Sequence, residues 1–219
     1  MSSKSSFTTK ELSRETGHDF VDLFSRGGGW DHCFCMHFHR PRSLPKEQHL
    51  STRAERAARN CKQKRALVDS GRAHGILVYV GEKAVGWCQY GLREELPRVD
   101  NSRKYRALEL DKRSSQSAKA SRRRAGGEPR LWRITCFVVD KKHRRQGVAT
   151  IALKAALDSI RKQGGGIVEA YPISHWETRA FGNESTSGTL SMFKRQGFKV
   201  VAPLGATRFS RHVLVRKVV

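Results

Sequence analysis

Apolar residues recur along this chain in two rhythms. Positions three or four apart predict helices, and short continuous apolar runs predict buried strands. His18 to Phe24 reads as a short helix stopped by Gly27, Gly28 and Gly29, and Cys33 to Phe38 as a strand. Pro41 and Pro45 mark a loop, after which Thr52 with Glu55 three residues on is a capping-box pattern opening a basic helix to about Val68. Gly75 to Val80 and Ala84 to Tyr90 are two strands joined by the tight turn Gly81-Glu82-Lys83. Leu131 to Val139 is a buried strand. A helix follows from about Gly147 to Lys162, with Val148, Ile151, Ala152, Ala155 and Ile160 at helical spacing and Gly164, Gly165 and Gly166 at its end. Ile167 to Ile173 returns as a strand. Ser187 or Thr189 caps a short helix through Arg195, Gly197 breaks it, and two terminal strands follow around Phe198 to Ala202 and Arg208 to Val218.

Strand, helix, strand in the middle of the chain implies a parallel pair joined by a right-handed crossover, with antiparallel strands on either side. The fold class is therefore a mixed α/β (α+β) sheet. Its 219 residues are read as one domain, 1–219, with N-terminal helices and a first strand over 1–73. The stretch 112–129 lacks large apolar residues and is rich in Ser, Ala and Arg, so it cannot offset its ordering entropy and reads as a mobile basic insertion.

Composition narrows the class. No window approaches a membrane span and the first residues have no apolar signal stretch, so the expectation is a cytoplasmic protein with no membrane partner. Five cysteines (Cys33, Cys35, Cys61, Cys88, Cys136) are an odd number and read as free thiols. The formal net charge is +23, which attracts polyanions or a phosphorylated small molecule. Ten Arg and Lys face three acids from Arg40 to Arg72, and nine face two from Arg103 to Arg124, where Arg122, Arg123 and Arg124 form a run. A smaller cluster, Lys141, Lys142, Arg144 and Arg145, sits between a strand and a helix.

That third cluster carries the chemistry. Phe137-Val138-Val139 ends a strand, Asp140 to His143 is a short basic loop, and Arg144-x-x-Gly147-x-Ala149 opens a helix. A helix N-terminus presents unpaired N–H groups and the positive end of the dipole, which suits a phosphate. Gly147 and Ala149 are small enough for a pyrophosphate to approach the backbone.

On these residues the chain resembles the GNAT superfamily of acetyl-CoA-dependent N-acetyltransferases, whose Arg/Gln-x-x-Gly-x-Gly/Ala motif falls on Arg144, Gly147 and Ala149. Glu169-Ala170-Tyr171-Pro172 looks like the strand after the motif helix, Met192 to Phe198 like the family's late helix and Gly-Phe turn, and Val85-Gly86-Trp87 like its hairpin strand. This covers about 74 to 218. Cys33-x-Cys35-Met36, Gly86-Trp87-Cys88 and Cys136-Phe137 also look like a microbial subgroup, which extends the match to nearly the whole chain.

The resemblance implies a six- to seven-stranded, mostly antiparallel sheet whose central parallel pair splays around acetyl-CoA, flanked by helices. It implies pantetheine pairing with the backbone of Phe137, Val138 and Val139 as an added strand, and pyrophosphate held by Arg144, Arg145, Gln146, Gly147, Val148, Ala149 and Thr150. The acceptor side is expected from 1–73 and from Tyr90 to Asn101.

Acetyl transfer needs a neutral amine, while an alkyl ammonium has a pKa near ~10 and must lose a proton. Two family positions depart from pattern: Phe193 stands where many members have a proton-donating Tyr, and Arg133 where some have a Glu. The remaining candidates are Glu169, as base or amine anchor, and Tyr171, as proton donor, which share a strand face. The alternative is that Tyr171 packs and Glu169 pairs with an Arg. Cys136, on a buried strand, reads as an inert thiol. Cys33, Cys35, His37 and His39 alternate, so on a strand they would lie in a row rather than tetrahedrally, and no metal is expected.

The functional expectation is acetyl transfer to a primary amine of a small molecule, such as an aminoglycoside-like antibiotic or toxic metabolite, in a ternary complex. A polycationic acceptor would need Glu94, Glu95, Asp100, Glu169 and Glu177 to gather at the pocket. The alternatives are a protein or peptide N-acetyltransferase, or a basic nucleic-acid-associated protein without turnover. Assembly as a homodimer is left open.

Overall fold

The strands are β1 (Phe7–Glu11), β2 (His74–Val80), β3 (Lys83–Leu92), β4 (Leu131–Val139), β5 (Ile167–Ala170), β6 (Ile173–Trp176), β7 (Lys199–Ala206) and β8 (Ser210–Val218). The helices are α1 (Gly17–Ser25), α2 (Arg53–Asp69), α3 (103–108), α4 (Val148–Lys162) and α5 (Leu190–Arg195). The structure is a computed structural model and describes residues 6–27, 29–40, 52–108, 129–176, 186–206 and 210–219. The eight strands form one sheet in the order β1-β2-β3-β4-β5-β8-β6, with β7 added on β8. Among the strands of the described residues β4 and β5 run parallel and the other strand pairs are antiparallel.

The central strands β2, β3 and β4 are buried almost end to end because helices cover both faces. On one face α4 lays Ala152, Leu153, Ala156, Leu157 and Ile160 against Val78, Tyr90 and Trp132. Each fully buried Leu or Ile contributes roughly 1.5–3 kcal/mol, so this face alone fixes α4 on the sheet. On the other face Phe20, Leu23 and Phe24 of α1 close over Leu77, Tyr79 and Trp87.

Pairing between β4 and β5 runs from Leu131↔Ile167 to Ile134↔Ala170 and stops. From there β4 continues to Val139 paired with β3 alone, and a V opens beside Thr135 to Val139.

Three expectations are corrected. Cys33 to Phe38 is not a strand: Cys33 N–H bonds Trp30 C=O and Met36 N–H bonds Cys33 C=O, both at 2.9 Å, while Phe34 and Cys35 have φ of 46° and 47°. The buried side chains of Phe34, Cys35 and Met36 still join the core, so apolar content survives where strand geometry does not. With the strand gone, the argument that four ligands lie in a row fails; among the described residues no three His, Cys, Asp or Glu side chains group to hold a metal. Ile167 to Ile173 is also two strands rather than one, because Pro172 has no N–H to extend the ladder. Lastly β1, with one half-buried residue in five, was not foreseen, and the sheet has eight strands. The run Arg122 to Arg124, most of the insertion and Glu177 lie outside the described residues.

Candidate active site

Asp140 follows β4, and its carboxylate accepts from Lys142 N–H at 2.9 Å, capping a short turn over Lys141–His143. The chain then passes through left-handed backbone at Arg145 (φ 62°) and Gly147 (φ 84°) into α4. Thr150 and Ile151 N–H both close on the Gly147 carbonyl, at 2.9 and 3.0 Å. Among the described residues, the N–H groups of Arg145, Gln146, Gly147, Val148 and Ala149 find no acceptor in the chain. They lie at the positive end of a 15-residue helix, an arrangement that suits an anion. Gly147 has nothing within 4 Å of where a Cβ would sit, so the space over the cradle is open.

Gly86 sets the height of that cradle. A Cβ there would stand 2.3 Å from Val148 Cγ1, so only Gly lets the first turn of α4 rest on β3. Arg144 is folded back: its Nε–H donates to Val139 C=O at 3.3 Å and its guanidinium lies 5.4 Å from the Trp30 ring centre. Lys141, Lys142 and Arg145 remain exposed around the cradle.

A cleft of about 270 Å³ leads from the cradle into the V, walled by Trp30, Phe137, Ala149, Thr150, Gly188 and Met192. Backbone polarity alternates along β4. Phe137 N–H turns into the V and donates to Thr186 C=O at 2.6 Å, whereas Asp140 N–H turns the other way to Val85 C=O at 2.9 Å. Phe137 and Val139 therefore face the V, and Val138 faces β3. Of the three β4 residues expected to offer backbone to a pantetheine, Val138 is withdrawn on this geometry.

Across β4 lies a second cavity of about 570 Å³, whose wall includes His37, Arg98, Tyr105, Thr135, Tyr171 and Ser187. The two spaces adjoin at two places. Thr135 and Phe137 are alternate residues of β4, and Ser187 sits between Thr186 and Gly188, which wall the first cleft.

Glu169 is fully buried between these features. Its Oε2 accepts from the Tyr105 hydroxyl at 2.7 Å and the Tyr171 hydroxyl at 3.0 Å, and its Oε1 accepts from Arg216 Nε–H at 2.5 Å. So Glu169 pairs with an Arg and presents no free oxygen to a substrate. Tyr171 walls the second cavity; burial, with the Glu169 charge, holds its phenol well above the ordinary range, so it stays protonated. Arg133 is equally buried and binds Asp100 at 2.7 Å (Nη2) and 2.9 Å (Nη1). Phe193 is buried against Phe137 and Phe198, with ring centres 6.0 and 5.0 Å away. The Sγ atoms of Cys136 and Cys35 lie 3.0 Å apart, within hydrogen-bond reach, and that contact together with burial raises the Cys136 thiol well above the ordinary value.

The sequence profile of the acetyltransferase (GNAT) family matches residues 38–198. The chain belongs to this family. No curated protein sequence matches it. Among solved structures, a protein described as a GNAT-family acetyltransferase from Desulfovibrio desulfuricans superposes with a TM-score of 0.52 at 11% identity, over 97% of this chain and 99% of that one. NAA60 of Arabidopsis thaliana, solved with acetyl-CoA, gives 0.50 at 13% identity, over 98% and 100%. At such identities the likeness is one of fold.

GNAT membership assigns the enzyme class, an acyltransferase with acetyl-CoA as donor, and the free amides of 145–149 beside an open cleft fit that coenzyme's pyrophosphate and arm. Neither position that supplies a Glu or Tyr in other GNAT chains does so here, since Arg133 is spent on Asp100 and Phe193 on core packing.

Of the far cavity's wall, His37 and Arg98 lie in the segments from which the acceptor side is expected, whereas Tyr105 and His212, remote from both in sequence, were not foreseen. Arg103 and Lys104, also in its wall, carried a signal, but only as part of a diffuse basic stretch. Trp30 and the Thr186–Gly188 segment gave none.

Proposed function

We propose that this chain transfers the acetyl group of acetyl-CoA to a primary amine of a small molecule by direct attack in a ternary complex. The observation that carries the reading is the pair of adjoining cavities: an anion cradle with its cleft on one side of β4, and a space of about 570 Å³ on the other. That volume is the size that takes one small molecule. Arg145, Gln146, Gly147, Val148 and Ala149 hold the pyrophosphate by backbone N–H, with Arg144 and Thr150 beside them, and the Phe137 carbonyl and Val139 N–H face the coenzyme arm, the Phe137 N–H being taken by Thr186.

Acetyl-CoA supplies an activated thioester. The acceptor nitrogen forms the amide bond as the C–S bond breaks, and the proton it gives up balances the one sulfur gains. Since the Glu169 carboxylate is saturated, its role is to position Tyr105 and Tyr171, whose rings form the cavity wall. Five free thiols suit a reducing cytoplasm, and among the described residues no helix is long and apolar enough to cross a membrane.

Thermal unfolding with acetyl-CoA and with CoA, followed by thiol release against an amine panel, tests the reading. At a hundredfold excess over its Kd a ligand of the native state stabilises by about 2.7 kcal/mol. A chain indifferent to both coenzymes at millimolar concentration overturns it.

A further inference from the structure

Beneath α1, one cluster of reactive side chains has no part in acetyl transfer. Cys35, on a turn after α1, and Cys136, on β4, stand 101 positions apart in sequence with their Sγ atoms 3.0 Å apart. Neighbours hold the two opposed. Trp87 Nε1–H donates to Cys35 Sγ at 3.1 Å, Gln89 Nε2–H donates to the Cys35 carbonyl at 2.9 Å, and Phe20, Phe24 and Phe34 pack together against Trp87. Lys64 of α2 is wholly buried beside them, and among the described residues no carboxylate pairs with it. Its Nζ meets His39 Nε2 at 2.9 Å, and the charges that favour its ammonium are those of Cys35, Cys136 and Cys33. Burial lowers that ammonium to about 8, so it is still charged at pH 7. A buried cation calls for an anion, and Cys35 as thiolate is placed to be one. The thiolate is also the form that oxidants attack. Both sulfurs belong to cavity walls. Cys136 lies between Thr135, in the wall of the second cavity, and Phe137, in the wall of the cleft, while the turn that carries Cys35 gives Trp30 to the cleft and His37 and Phe38 to the second cavity.

We propose that Cys35 and Cys136 form a reversible disulfide on exposure to hydrogen peroxide, which draws the 30–38 turn toward β4 and reshapes the walls that Trp30 and His37 give the two cavities. In the first step the Cys35 thiolate attacks one peroxide oxygen. An S–O bond forms, the O–O bond breaks, and the departing hydroxide takes the Cys136 thiol proton to leave as water. The Cys136 thiolate then attacks the sulfenic sulfur of Cys35. The S–S bond forms, the S–O bond breaks, and the second hydroxide takes a proton from solvent. The two sulfurs lose two electrons and the two peroxide oxygens gain them. The sulfurs have about 1 Å to close before they reach the roughly 2.05 Å of a disulfide, and a turn outside helix and strand yields more readily than β4 does. Hydrogen peroxide is small and uncharged, which suits a target 2% exposed at Cys35 and 8% at Cys136. Bridging removes the thiolate that Lys64 and Trp87 stabilise, so the reduced pair is favoured and the bridge is readily opened again. A lone buried thiol is inert, as Cys136 reads from sequence; one set against a second sulfur is not.

The test treats the full, reduced chain with hydrogen peroxide under native conditions and maps its peptides by mass without reductant. The expected product is a pair of peptides joined through Cys35 and Cys136, two hydrogens lighter than their sum and separated by dithiothreitol. Mapping the parent chain identifies the partners without any variant that has to fold. The bridge persists in Cys33→Ala and disappears in Cys136→Ala. Lys64→Met slows bridging roughly tenfold, because less of Cys35 stands as thiolate. In the bridged chain the coenzyme Kd rises roughly tenfold, the scale of one misplaced contact, and recovers on reduction; this arm alone rests on the transferase reading. A bridge to Cys33, Cys61 or Cys88, oxidation that stops at separate sulfenic or sulfinic acids, an unchanged rate in Lys64→Met, or a bridged chain with an unchanged Kd overturns the proposal. A reduced chain that binds no coenzyme sinks the transferase reading instead, and the joined peptides still decide the bridge.

Discussion

The sulfur of Cys35 lies 3.0 Å from the sulfur of Cys136, tying the turn after α1 to the strand that walls the coenzyme cleft. Trp87 Nε1–H also donates to Cys35 Sγ, at 3.1 Å, and the wholly buried Lys64 is close enough for its charge to act on it. Burial raises the Cys35 thiol, but the Cys136 S–H, the Lys64 charge and the Trp87 N–H together bring it below its ordinary value. Cys35 thus accepts from Trp87 and touches Cys136, while Lys64, bonded to His39 Nε2 at 2.9 Å, acts on it through its charge. Cys35→Ala leaves the buried Trp87 N–H without an acceptor, at a cost of about 1–3 kcal/mol. Denaturant unfolding should show a lower midpoint with an unchanged slope; a midpoint equal to the parent's means the sulfur is only a space-filling atom.

Gly86 and Val148 make the closest helix-to-sheet approach in the site. A Cβ at Gly86 would press Val148 Cγ1 at 2.3 Å, so Gly86→Ala forces the start of α4 away from β3. Overpacking of this kind costs about 1–3 kcal/mol, and here it also displaces the amides of 148 and 149. We expect a lower Tm together with weaker coenzyme binding, both recovered by adding Val148→Ala, since the two sites share one contact. Loss of Tm without loss of coenzyme affinity would separate packing from cradle.

Gly147→Val tests the cradle directly. The position is left-handed at φ 84°, and its Cβ would project into open space over the free amides. The backbone strain is about 1–2 kcal/mol, which the fold tolerates, while the added side chain occupies the place of the pyrophosphate. A coenzyme Kd at least roughly a hundredfold higher is expected, measured by titration below the variant's Tm. An unchanged Kd would move the phosphate site elsewhere.

Local features were legible from sequence and assembled ones were not. The capping box at Thr52 and Glu55 forms as written, with Glu55 N–H on Thr52 Oγ1 at 3.1 Å and Thr52 N–H on Glu55 Oε2 at 3.0 Å. The cradle was legible because strand end, basic loop and helix start are contiguous in the chain. Cys33 to Phe38 misled because alternating Cys, Phe and His imitate a strand, whereas positive φ at Phe34 and Cys35 follows from packing under α1. The break at Pro172 is written in the sequence, since a proline has no N–H to carry a ladder onward. The Glu169 cluster gathers Tyr105, 64 positions before it, and Arg216, 47 positions after it, with Tyr171, and no local pattern encodes such a meeting.

His39 gives the pH dependence. Its Nδ1–H donates to Glu95 C=O at 2.9 Å, which leaves Nε2 to accept from Lys64 Nζ and Gln89 Nε2, each at 2.9 Å. Burial, then the Lys64 charge, lowers its imidazole from 6.5 to about 2. Between those values the unfolded chain binds a proton that the native state refuses, so stability falls as pH drops below 6.5, by at most about 1.4 kcal/mol per pH unit. Denaturant unfolding at pH 7, 5.5 and 4.5 should show a steeper acid loss in the parent than in His39→Gln. Parallel slopes would mean that this ring is not the source.

Glu169 and Tyr171 decide whether the buried carboxylate reacts or positions. If Glu169 abstracted the proton, Glu169→Gln would lower kcat about 10²–10⁴-fold and erase the acidic limb of the pH–rate profile. Its saturation by Tyr105, Tyr171 and Arg216 predicts otherwise. Removing the carboxylate takes away the charge that Arg216 pairs with here, at about 3 kcal/mol, and frees the two tyrosine rings to shift in the cavity wall. The expected signature is a lower Tm, a raised KM for the amine, and an acidic limb that stays in place. Tyr171→Phe keeps the Glu169–Arg216 pair and loses one donor, so it should reproduce the KM change with little loss of Tm. A vanished limb in Glu169→Gln, with Tyr171→Phe fully active, would return the carboxylate to the chemistry and require it to turn out of its present bonds during turnover.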